Sequence, residues 1–126
     1  MDIEPGSVFT KKFKTGIEHS AKGIGSGDVE VLSTPSLIGF MENTCRTPID
    51  AKISPDKVTV GTLVNIRHLK ASKIGDEVEI VAKLLSVDGN RLTFWVEAFV
   101  NNEKIASGIH ERAIVERESF LKKLKN

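Results

Sequence analysis

The chain has 126 residues, the size of one domain with enough interior to bury a core without disulfides or a structural metal. Its composition, 40% hydrophobic and 28% charged, is that of an ordinary globular protein without the charge excess of a disordered tail, and no run reaches the ~18 consecutive apolar residues of a membrane span. Eighteen basic against seventeen acidic residues leave a net charge of +1, which removes the electrostatic basis for binding duplex nucleic acid.

The amino-terminal lead, Met1-Asp2-Ile3-Glu4-Pro5-Gly6, has neither the basic start nor the apolar centre of a signal peptide, and the single Cys45 has no partner for an internal bridge. A cytoplasmic protein is therefore expected. Residues 7–14 place Phe9 and Phe13 on one side of an extended segment and predict a first strand. Residues 21–28 follow with Gly23, Gly25 and Gly27, a spacing foreign to GxGxxG and Walker motifs, and predict a mobile loop rather than a phosphate cradle.

Ser33-Thr34-Pro35-Ser36 then opens a helix, with Thr34 as the expected N-cap and Pro35 suited to the first turn, where no partner for its missing N–H is needed. Leu37, Phe40, Met41, Thr44 and Cys45 follow the spacing of a helix face turned to a core. Glu42 borders that face, ~40° around the helix from Ile38 and ~60° from Cys45, where a carboxylate is costly unless paired.

The remainder predicts strands. In residues 57–68, period-two alternation puts Val58, Val60, Val64, Ile66 and His68 on one face, so that His68 ends an apolar stripe. Residues 76–87 are rich in Val, Ile and Leu, Asp88-Gly89-Asn90 signals a hairpin into residues 91–100, and Asn101-Asn102-Glu103 turns the chain into residues 104–115. Residues 116–125 predict a short basic terminal helix. A strand, a buried helix and then about four antiparallel strands make an α+β plan, with the helix on one face of the sheet and one domain over residues 1–126.

The chemistry-bearing residues are few. Glu42 is a carboxylate in a partly apolar setting and His68 an imidazole able to exchange a proton near neutral pH. Cys45 sits on the apolar stripe and reads as a buried neutral thiol. His19, His68 and His110 have no metal-ligand spacing, so no metal site is expected.

The order of elements, together with Val31-Leu32-Ser33-Thr34, Gly39-Phe40-Met41-Glu42, the strand from Gly61-Thr62 to His68, and Ser107-Gly108-Ile109-His110-Glu111-Arg112-Ala113, resembles the fluoroacetyl-CoA thioesterase group of hotdog-fold thioesterases. The resemblance implies a hotdog fold, an antiparallel sheet wrapped around a central helix. It implies hydrolysis of a small or medium acyl-CoA to free acid and CoA, CoA being part of the substrate, with no separate cofactor. It carries a catalytic set onto Thr34, Glu42 and His68, and substrate contacts onto Gly61 and Arg112. It further implies a homodimer or larger homo-oligomer, with sites between subunits where Glu42 and His68 of different chains meet. Glu42 is open to two roles, general base or nucleophile. Before the helix, where the fluoroacetyl-specific enzymes carry gating aromatics, this chain has Gly25-Ser26-Gly27-Asp28-Val29-Glu30, which argues against fluoroacetyl specificity. Besides a purely structural dimerisation domain, two rival readings stay open at this point. One is a non-catalytic module of the same fold that binds acyl-CoA or a related ligand. The other is an enoyl-thioester hydratase, whose characteristic Asp and His pair is not found in the sequence.

Overall fold

The structure, a computed structural model, describes residues 3–125; Met1 and Asp2 of the amino-terminal lead, and Asn126, lie outside the described residues. The elements are β1 (Val8–Lys14), a 3-10 turn (Ile17–His19), α1 (Ala21–Ile24), α2 (Thr34–Asp50), β2 (Lys57–His68), β3 (Glu77–Asp88), β4 (Arg91–Val100), β5 (Glu103–Glu116) and α3 (Arg117–Lys122). The five strands form one antiparallel sheet in the order β1-β3-β4-β5-β2, which leaves β1 and β2 as its edges. The sheet curls around α2, giving the hotdog architecture expected from the sequence.

The core lies between α2 and the inner face of the sheet. Leu37, Phe40, Met41, Thr44, Cys45 and Ile49 are the buried residues of α2, and they meet Val78, Ile80, Leu84, Leu92, Phe94 and Val96 from β3 and β4. The face expected from the sequence is thus the buried one. Phe9 and Phe13 of β1 pack on the same core, and the Phe13 ring stacks on Phe40 at a centroid distance of 4.5 Å. The β4–β5 hairpin turns at Asn101 and Asn102, both left-handed (φ 51° and 63°), a conformation asparagine tolerates and two-residue hairpin loops favour.

Three local expectations are corrected. Residues 21–28 are not all loop: Ser20 caps one helical turn by accepting a hydrogen bond from Gly23 N–H, and Gly25 ends it in the left-handed conformation (φ 77°). The N-cap of α2 is Ser33, whose hydroxyl accepts from Ser36 N–H at 3.1 Å, so Thr34 is the first helical residue and its hydroxyl is free for other work. Finally, β2 does not keep one phase. A register shift between Gly61 and Leu63 inserts Thr62 as an extra residue opposite β5, so Val58 and Val60 face outward while Val64, Ile66 and His68 face α2. A bulge is invisible to a strict period of two.

Candidate active site

The site is built where α2 crosses β2. At the amino-terminal end of the helix, Thr34 Oγ1 lies 2.8 Å from His68 Nδ1. Because Ser33 supplies the cap, the Thr34 hydroxyl reaches sideways to the strand, and because the bulge resets the phase of β2, His68 turns inward to meet it. The other ring nitrogen, His68 Nε2, is enclosed by protein and has no hydrogen-bond partner among the described residues. Leaving such a group unpaired costs on the order of 1–3 kcal/mol, a cost tolerated where a substrate or reacting water is to be met. Burial pushes the His68 pKa below its ordinary value, so the ring is neutral at neutral pH and has a lone pair to offer. A cleft of about 290 Å³ opens beside this pair, walled also by Ser26, Val31, Leu32, Leu69 and Lys70, with no Phe, Tyr or Trp among its lining residues.

Two turns along the helix, Glu42 stands over Gly61. Its side chain is 40% exposed and its Oε2 lies 3.8 Å from Arg112 Nη1. The contact depends on Gly61 having no side chain, since a Cβ there would lie 2.6 Å from Glu42 Oε2. Arg112 sits directly opposite Gly61 on β5 and is only 5% exposed. Its guanidinium donates from Nε to Thr59 Oγ1 (3.0 Å), from Nη2 to Thr59 O (3.0 Å) and from Nη1 to His110 Nε2 (3.1 Å).

The five residues singled out in the sequence therefore fall into two clusters within one chain. Thr34 pairs with His68, and Glu42 sits with Gly61 and Arg112. Glu42 lies eight positions beyond Thr34, about 12 Å along the axis, so the carboxylate and the imidazole do not meet inside a single subunit. Cys45, one turn beyond Glu42, is buried, and its thiol is pushed up to about 12 by loss of hydration, which keeps it protonated. Among the described residues no group of three or more His, Cys, Asp or Glu is arranged to hold a metal ion. His19 is occupied elsewhere, accepting from Gly16 N–H and resting edge-on against Phe40.

Two residues of the second cluster carried no functional expectation, Thr59 and His110. The signal for His110 was its i, i+2 relation to Arg112, which puts both side chains on the inner face of β5.

The geometry has counterparts in known proteins. Residues 17–118 match the model of a family described as FlK, fluoroacetyl-CoA-specific thioesterase. A fluoroacetyl-CoA thioesterase from Streptantibioticus cattleyicolor is 34% identical over 96 residues, 76% of this chain and 69% of that protein. A solved structure of the fluoroacetyl-CoA thioesterase FlK superposes with a TM-score of 0.94 at 28% identity, covering 99% of this chain and 97% of the other. A hot-dog-like protein from Thermanaerovibrio acidaminovorans shares the fold, with a TM-score of 0.89 at 22% identity over 98% of this chain and 95% of its own.

Proposed function

The chain belongs to the fluoroacetyl-CoA-specific thioesterase family, and from that membership we propose how this acyl-CoA thioesterase builds its site and selects its substrate. The reaction is hydrolysis of an acyl-CoA thioester to a free acid and CoA. Thr34, Glu42 and His68 are its catalytic residues. Glu42 is the carboxylate that either activates water or attacks the carbonyl, and the neutral His68, tied to Thr34 by its Nδ1, presents Nε2 to the reacting centre. Gly61 and Arg112 contact the substrate at the Glu42 end, Gly61 through bare backbone and Arg112 through an Nη1 N–H that His110 does not take.

The observation that carries this reading is the buried His68 Nε2, beside a cleft and without a hydrogen-bond partner among the described residues, with the expected carboxylate about 12 Å along α2 from the Thr34 that holds the ring. A second copy of the chain closes that gap. Antiparallel pairing of β2 with its counterpart about a two-fold axis near Val64 and Asn65 sets Gly61, and the Glu42 above it, opposite the partner's His68. The β2 edge suits such pairing: Leu63 and Val64 are exposed there, whereas the other edge, β1, carries Lys11, Lys12 and Lys14. The functional unit is thus a homodimer with two composite sites, working in the cytoplasm without a cofactor beyond the CoA of its substrate.

The acyl group is small to medium and is not restricted to fluoroacetyl, because Ser26, Val31, Leu32 and Leu69 stand in the cleft and no Phe, Tyr or Trp lines it. The test is a panel of acyl-CoAs with a thiol-reactive dye reporting free CoA. Release from short and medium acyl-CoAs is expected, and Glu42→Gln, which keeps the shape and removes the base, should fold normally and lose about 100-fold or more in kcat. No CoA release from any thioester would leave a binding module of the same fold, and unchanged turnover in Glu42→Gln would reject the carboxylate.

A further inference from the structure

The second cluster holds a buried imidazole that the reaction as described does not use. His110 is 1% exposed, on the inner face of β5 two residues before Arg112. Its Nδ1 lies 2.8 Å from Leu63 O and its Nε2 lies 3.1 Å from Arg112 Nη1. A carbonyl oxygen only accepts and a guanidinium only donates, so the two partners independently demand the same tautomer, with the proton on Nδ1 and a lone pair on Nε2. Burial, with Arg112 alongside, lowers the His110 pKa and favours that neutral form.

The consequence falls on Arg112. Thr59 takes its Nε–H and one Nη2–H, and His110 takes one Nη1–H, so three of its five donors are tied to the sheet. The guanidinium stops 3.8 Å from Glu42 Oε2, whereas an unrestrained Arg–carboxylate pair closes to about 2.7–2.9 Å. A carboxylate gripped by arginine spends its lone pairs on the grip. One held at a distance keeps them for a water or a thioester carbonyl, while the nearby positive charge still stabilises negative charge building up in the transition state.

We propose that His110 is a positioning residue of this thioesterase, an imidazole clamp that ties Arg112 to the sheet and keeps it from closing onto the Glu42 carboxylate. The proposal rests on the reading of Glu42 as the reacting carboxylate. The clamp is also fastened to the bulge, since Leu63, whose carbonyl holds the His110 ring, is the first residue to rejoin the β5 register after Thr62. The other ionisable groups around it are Cys45, Arg46 and Asp50 on α2 and Glu111 on the outer face of β5, while β2 contributes the uncharged Thr59 and Gly61.

Two substitutions and one spectroscopic signal test it. His110→Phe keeps a flat aromatic ring, slightly larger than imidazole, and deletes both nitrogens, and His110→Gln restores an acceptor near the place of Nε2. His110→Phe is expected to lower kcat by about tenfold or more with KM for acyl-CoA within about twofold of wild type, and His110→Gln to recover most of kcat. The Nη protons of Arg112, slowed in exchange by the clamp, should give separate NMR signals in the wild type and in His110→Gln but merge in His110→Phe. Wild-type kcat in His110→Phe, or unchanged Arg112 signals, overturns the proposal, as does equal loss in the Phe and Gln variants. If His110→Phe does not fold, Thr59→Val removes another tether at nearly constant volume, and the same fall in kcat at constant KM is required of it. Full activity in Glu42→Gln would defeat the reading of Glu42, whereas the Arg112 signals report on the clamp by themselves.

Discussion

A methyl group at position 61 separates the needs of catalysis from those of folding. Built on Gly61, it would lie 2.6 Å from Glu42 Oε2, 3.3 Å from His110 Cε1 and 3.4 Å from Arg112 Nη1. The worst overlap is with the tip of a flexible, partly exposed side chain, which swings away at little cost. Gly61→Ala is therefore expected to keep its melting temperature within about 2 °C of wild type while kcat falls by about 100-fold, because a carboxylate displaced by an ångström no longer aligns with the thioester. A large loss of stability with full specific activity in the folded fraction would show that the glycine serves packing alone. At this scale the sequence was readable where a residue type is scarce. Glu42 stood out as a carboxylate against an apolar stripe and His68 as the end of another. Thr34 was read as the cap that Ser33 supplies, since two adjacent hydroxyls compete for it, and only the backbone geometry at residue 33 decides which accepts from Ser36.

The strands depend on close approach as much as on hydrophobic pattern. Gly108 faces inward on β5, where an added Cβ would come within 2.2 Å of Asn65 O and 2.5 Å of Ile66 Cα. Those are backbone atoms of the neighbouring strand, and they cannot rotate away. Gly108→Ala must push β2 off β5 over the stretch that carries His68, so it is expected to cost about 2 kcal/mol or more, read as a clear fall in the urea midpoint, with loss of activity following loss of fold. Retention of the wild-type midpoint would mean that the two strands are not held as closely as described. The junctions of β3 with β4 and of β4 with β5 were legible because turn residues punctuate them: Asp88-Gly89-Asn90, then Asn101-Asn102 in left-handed conformations. The reversal of phase in β2 was not. Val58, Val60, Val64, Ile66 and His68 fit one even-numbered stripe, and the single inserted Thr62 that splits it has no signature apart from the neighbouring glycine. The helical turn at residues 21–24 was hidden in a similar way, because its stability comes from a capping hydroxyl, Ser20, that precedes the glycine-rich stretch.

For the molecule as a whole, the decisive question is whether a site needs two chains. The positive β1 edge discourages addition of another strand, whereas β2 exposes Leu63 and Val64 and carries Gly61, beneath Glu42 of α2, and His68 at separate points along its length. If β2 pairs with its copy, each site takes Glu42 from one chain and the Thr34–His68 pair from the other. Two individually inactive proteins then complement each other. Mixing Glu42→Gln with His68→Ala in equal amounts, and letting subunits exchange, puts half of the chains into mixed dimers. In each of these one site inherits both lesions and the other inherits none, so activity should rise from near zero to about a quarter of wild type. Mass spectrometry under native conditions confirms that exchange has taken place. The recovery cannot come from either parent, and it has no counterpart in a site built within one subunit, where every chain keeps its own lesion. Mixed dimers that form and remain inactive would therefore place the carboxylate and the imidazole in the wrong pairing and overturn the composite site, whatever the fold of the single chain.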